Sequence, residues 1–134
     1  MKHKRGRPSL YTKAKALTIC DAVASGTPVH LIAKQPGMPA EATIYQWLSV
    51  HQEFAEDYTR AREALAHRFA AEVISISDEA PETIKGVEKA SLRTRNRIWA
   101  AERMAPKKYG ARLAMTGDDG GALKIIIAGD DAKL

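Results

Sequence analysis

Lys4, Arg5, Gly6, Arg7 and Pro8 lie near the start of a 134-residue chain, ahead of any stretch that could pack. Two guanidinium groups flank the smallest residue, and proline follows. Gly and Pro keep such a stretch out of helix. Laid out extended, it can lower both guanidinium groups into a narrow, strongly negative A·T minor groove. Gly6 lets the backbone approach the groove floor, and Pro8 lifts the chain away. Counting Lys2, Lys4, Arg5, Arg7, Lys13 and Lys15, six cations are in position to neutralise phosphates. Binding to a nucleic acid should therefore weaken steeply with salt.

No other grouping carries chemistry. His3, His30, His51 and His67 have no ligand spacing with one another or with Cys20, so no metal is expected. Asp118, Asp119, Asp130 and Asp131 sit beside glycines and read as turn residues. No glycine-rich phosphate loop with a following Lys-Ser/Thr is present, so neither ATP nor another cofactor is expected, nor is catalysis. A single cysteine excludes an internal disulfide, and Cys20 reads as a small core residue. There is no apolar run of about eighteen residues and no secretory h-region, so a cytosolic protein away from membranes is expected.

Charge is segregated along the chain. Residues 1–51 hold seven Lys/Arg against two acids, 52–88 four against nine, 89–110 seven against one, and 111–134 three against four. The basic head suits a polyanion. The acidic and basic middle segments suit each other, within one chain or between chains.

The head must hold the arm. Thr12 predicts an N-cap, and Ala16, Leu17, Cys20, Val23 and Ala24 follow on one helical stripe, stopped by Gly26. Thr27-Pro28 restarts a short helix with Val29, Leu31, Ile32 and Ala33 on its apolar side. After the break at 34–38, Pro39 opens a third helix to about Val50, burying Ile44, Trp47 and Leu48. Three short helices with a Gly-containing break fit a helix-turn-helix whose third helix enters the major groove. Its outward residues are Glu41, Ala42, Thr43, Tyr45, Gln46 and Ser49. Thr43, Tyr45 and Gln46 can bond to base edges or phosphate, with Lys34 nearby in sequence. So few cations give weak duplex affinity unless the arm contributes; Arg-Gly-Arg-Pro also matches the core of an AT-hook.

From Gln52 to about Asp78 no Gly or Pro occurs, and Phe54, Tyr58, Ala61, Leu65, Phe69, Val73 and Ile76 recur at spacings of three and four. A second helix is expected from Glu88–Ser91 to Met104, after a loop bracketed by Pro81 and Gly86. Two such helices cannot bury Phe54, Tyr58, Leu65, Phe69, Val73, Ile76 and Trp99 between them, which points to copies of the same chain; the alternative is a single five-helix domain. Beyond Gly110, residues 112–116 and 123–128 read as strands around a turn at Asp118–Gly121, pairing between subunits or remaining a tail. The fold class expected is mainly α: a head over 1–51, a helical-hairpin oligomerisation region over 52–110 and a short β element over 111–134.

GRPSLYT at the start, IC in the first helix, GMP before the third and TIYQWL within it are similar to the small terminase subunits of tailed double-stranded DNA phages. So are EFAEDYTRAREA in the long helix and APKKYG after the next, a resemblance running from Gly6 to Gly110. It implies a DNA-recognition, non-catalytic subunit of a genome-packaging motor. Such subunits form rings of about eight to eleven copies in closed cyclic symmetry. They bind viral double-stranded DNA near the packaging start and hand it to a large terminase subunit that carries the ATPase and nuclease, here through the C-terminal tail. The implied location is the cytoplasm of an infected bacterium or of one carrying a prophage. Where the family usually has Ser after GMP this chain has Ala40, which removes a hydroxyl from the start of the third helix. A dimeric helix-turn-helix transcription regulator, a recombinase or transposase DNA-binding module, and an assembly adaptor remain alternatives.

Overall fold

A computed structural model describes residues 10–125, and all secondary structure within it is helical. The head comprises α1 (Lys13–Ala24), α2 (Val29–Ile32) and α3 (Glu41–Val50); the hairpin comprises α4 (Gln52–Asp78) and α5 (Ile84–Met104), with a one-turn α6 (Pro106–Tyr109) behind it.

Local sequence sets these boundaries. Thr12 caps α1 by accepting the Lys15 amide at 3.2 Å. Ser25 closes the helix, and Gly26 takes φ 93°, a conformation that disfavours any residue with a Cβ. Gly37, at φ 78°, makes the second reversal, before α3. The stripe buried by α1 is Ala16, Ile19, Cys20 and Val23. Leu17, expected inside, is 46 % exposed: it lies one step off the i, i+3, i+4, i+7 series that Ile19 completes. Leu31 is likewise exposed, since α2 is one turn long and buries only Val29 and Ile32.

The core of the head continues into α4. Ile19, Ile32, Ile44 and Trp47 pack in one cluster with Phe54 and Ala61, and Tyr58 lies against it. Phe54 is 1 % exposed, so the first half of α4 completes the head. A second, smaller cluster of Ala66, Ala101 and Ala105, flanked by Phe69, Met104 and Tyr109, joins the middle of α4 to the end of α5 and to α6. Small side chains there bring the two helices close. Glu72 pairs with Arg97 further along, so the helices run antiparallel. His67 pins α6: the Lys108 ammonium, which can only donate, reaches Nε2 at 3.1 Å, leaving Nδ1–H to donate to the Tyr109 hydroxyl at 2.5 Å.

One sequence expectation needs correction, and a second is met only in its turn. Helix α5 begins at Ile84, four residues before the earliest expected start, because Thr83 caps it by accepting the Gly86 amide at 3.0 Å. Gly86 is a close-approach glycine inside the first turn: a Cβ there would lie 2.7 Å from the Pro81 carbonyl oxygen. Residues 112–116 and 123–125 carry no strand within the single chain, although the expected turn does form, with Gly117 N–H donating to Gly121 O at 3.0 Å. A lone two-stranded hairpin buries too little to persist without a neighbouring edge. Ile126, Ile127 and Ala128, the rest of the second expected strand, lie outside the described residues.

Candidate nucleic-acid interface

The outer face of α3 presents Glu41, Ala42, Tyr45, Gln46 and Ser49 to solvent, with Thr43 half-buried. The Ser49 hydroxyl donates back to the Gln46 carbonyl at 2.7 Å. Ala40, at the N-cap of α3, makes no side-chain cap bond, and its carbonyl accepts from the N–H groups of Thr43 at 2.9 Å and Ile44 at 3.1 Å. The face holds hydrogen-bonding groups and one acid, as the sequence implied. Tyr45, 51 % exposed, also lines a crevice of about 610 Å³ between the head and the hairpin, together with Val23, Leu48, Tyr58, Leu65 and Phe69.

The cations are placed unequally. Lys34 is exposed in the α2–α3 connection, and Lys15 is half-buried. Lys13 reaches across to α4, its ammonium 2.6 Å from Glu53 Oε1. The hydrogen bond and charge of Glu53 raise its pKa above the ordinary lysine value. Both side chains are largely in solvent, so the pair is weak enough for phosphate to compete. Lys4, Arg5 and Arg7 lie outside the described residues.

Sequence reasoning passed over Tyr11, next to the N-cap of α1. Tyr11 stacks on His51 with ring centroids 3.6 Å apart and planes within 11°, and meets Trp47 edge-on at 5.0 Å. Tyr11 and the start of α1 are thereby fastened where α3 passes into α4. An aromatic residue directly before an N-cap was the available signal, because that position commonly packs under the first turn.

Sequence and structure comparisons bear on this arrangement. The model of the family described as bacteriophage Sf6, terminase small subunit-like, matches residues 11–116. The chain belongs to that family. Three crystal structures of single-mutant forms of the terminase small subunit gp1 of the bacterial virus Sf6 are each 38 % identical to it. Each match covers 90 % of this chain and 100 % of the gp1 chain, with a TM-score of 0.71. No curated protein matches.

As a terminase small subunit of a phage packaging system, the chain has a second surface of interest, the residues expected to join copies. Phe54 and Leu65 are buried within one chain, as is Ile76; Tyr58, Phe69 and Val73 are half-buried. Several exposed apolar residues of the hairpin lie instead on α5. Val87, Ile98 and Trp99 line a groove of about 680 Å³ with Ser77, Ala90 and Thr94. Trp99 is 57 % exposed, with the Arg103 guanidinium 4.1 Å from its ring centroid. The Thr94 hydroxyl is buried there without a hydrogen-bond partner. Ile74 and Ile84, at the hairpin's free end, are also exposed. Among the described residues no helix is long and apolar enough to cross a membrane.

Proposed function

We propose that this chain is the DNA-recognition subunit of a viral packaging terminase, acting as a ring. The observation that carries the reading is the family match across residues 11–116, joined to the exposed Val87, Ile98 and Trp99 along one groove of α5. In this reading α1 to α3 form a helix-turn-helix. Helix α3 lies against a major groove through Thr43, Tyr45 and Gln46, while Lys4, Arg5 and Arg7 enter the neighbouring minor groove and Lys13, Lys15 and Lys34 meet phosphates. Each head binds weakly. The ring, of about eight to eleven copies, multiplies weak contacts by raising their effective concentration. Residues beyond Gly110 pair as β structure between neighbours or engage the large subunit, which supplies the ATPase and nuclease in the host cytoplasm. Catalysis is assigned to that partner.

The test joins native mass spectrometry with duplex binding across a salt series. Arg5→Ala with Arg7→Ala should weaken binding and lower the salt slope by about two while leaving the assembly mass unchanged. Unchanged affinity and slope would remove the arm from the interface. A dimeric or monomeric mass for the wild-type chain at working concentration would remove the ring.

A further inference from the structure

Helix α4 belongs to two packed regions at once. Its first half, through Phe54 and Ala61, completes the core of the head, and its second half lies along α5. At its midpoint, one side of the helix faces the crevice of about 610 Å³, where Gly26, Thr27, Pro28 and Val29 stand opposite Arg62, Leu65, Phe69 and Met104. Apolar packing between the head and the hairpin leaves this crevice unfilled.

A chain of polar contacts crosses this level. Arg68 Nη1 donates to the carbonyl oxygen of Ser25, the C-cap of α1, at 2.8 Å. Its Nε donates to Glu72 Oε1 at 2.9 Å. The other carboxylate oxygen of Glu72 accepts from Arg97 Nε at 2.7 Å, and the Arg97 guanidinium lies 5.6 Å from the centroid of the Phe69 ring. A guanidinium at a helix C-terminus satisfies an orphan carbonyl and complements the negative end of the helix dipole. One arginine fork thus grips α1, and one carboxylate holds that fork to α5. Arg97 and Glu72 lie partly out of solvent, which favours retention of their geometry, whereas the Arg68 side chain is 54 % exposed and is held by its two hydrogen bonds.

We propose that Arg68, held by Glu72, is a positioning residue that fixes the angle of the DNA-binding head against the oligomer-forming hairpin. The inference rests on the proposed function only for its consequence on DNA: heads set at one angle can engage a duplex together, and heads at scattered angles cannot.

The experiment compares wild type with Arg68→Met, Glu72→Gln and the double variant in the full chain. It follows amide exchange at Gly26 and Thr27, native mass, and affinity for a duplex long enough to span several heads. Arg68→Met should speed exchange at those amides about tenfold. It should also weaken duplex binding several-fold, with mass and salt slope unchanged, since the phosphate contacts of each head persist. Glu72→Gln should reproduce the effect in part, and the double variant should be no worse than Arg68→Met, because the two act as one unit. Wild-type exchange in a folded Arg68→Met chain overturns the proposal, as does wild-type exchange in Glu72→Gln should Arg68→Met not fold. If the wild-type chain binds no duplex, the DNA reading fails, and the exchange data decide the positioning role by themselves.

Discussion

Cys20 shows how burial at a single residue silences chemistry. Desolvation inside the head pushes its thiol up to about 11. The nucleophilic thiolate is therefore scarce at neutral pH, and alkylation of the folded chain should be slow and should accelerate once denaturant opens the core. Fast labelling of the native protein would contradict this packing. Glu72 moves the other way: hydrogen bonds from Arg97 and Arg68 hold its carboxyl below the ordinary glutamate range. A carboxylate depressed in the folded state contributes stability that is present above its unfolded value, about 4.3, and lost as pH falls through the folded value. Glu72→Gln should accordingly flatten the acid limb of a melting-temperature profile, and an unchanged limb would show that the carboxylate is not bound this way. At this scale the sequence was readable where periodicity was strict, as for Ile44 and Trp47. It misled at Leu17, where neighbouring apolar residues allowed more than one stripe. It was silent on the Tyr11 stack and on the Arg68 contact to Ser25, because both join segments distant in the chain.

The helices themselves were largely legible. The Gly- and Pro-free run from Gln52 to Asp78 is one helix, about 40 Å long. The start of α5 was not, because Gly86 has the look of a loop residue when its surroundings are unseen. Its role is steric: the backbone of Pro81 passes so close that a methyl group does not fit. Gly86→Ala should destabilise the hairpin by about 1–3 kcal/mol through overpacking, and Thr83→Ala by about 1 kcal/mol through loss of the cap. Thermal melts of both variants check this; a neutral Gly86→Ala would mean the 79–83 connection can shift. The segment beyond Gly110 marks the other limit. Its turn follows from local Asp-Gly chemistry, but a strand needs an edge to pair with, and that information is not local.

Across the whole molecule, apolar residues divide into those covered by the chain and those left bare. Phe54 belongs to the first set and Trp99 to the second. Phe54→Ala should cost about 3–5 kcal/mol and unfold the head. Trp99→Asp should leave the chain folded by circular dichroism yet lower the assembly mass seen by native spectrometry, since a charge would have to be buried unpaired at the contact. A folded Trp99→Asp chain of wild-type mass would place the contact between copies elsewhere. Leu65, at 6 % exposure, now groups with Phe54, so a charge there attacks folding before assembly.

One practical result follows from the way Phe54 sits under Trp47 and Ile44. Cutting the polypeptide after His51, where the third helix ends and the charge changes sign, would strip the floor from beneath the N-terminal bundle. A self-sufficient N-terminal fragment has to keep the next helix through Ala61, whereas a peptide ending at residue 51 should be unstructured in solution.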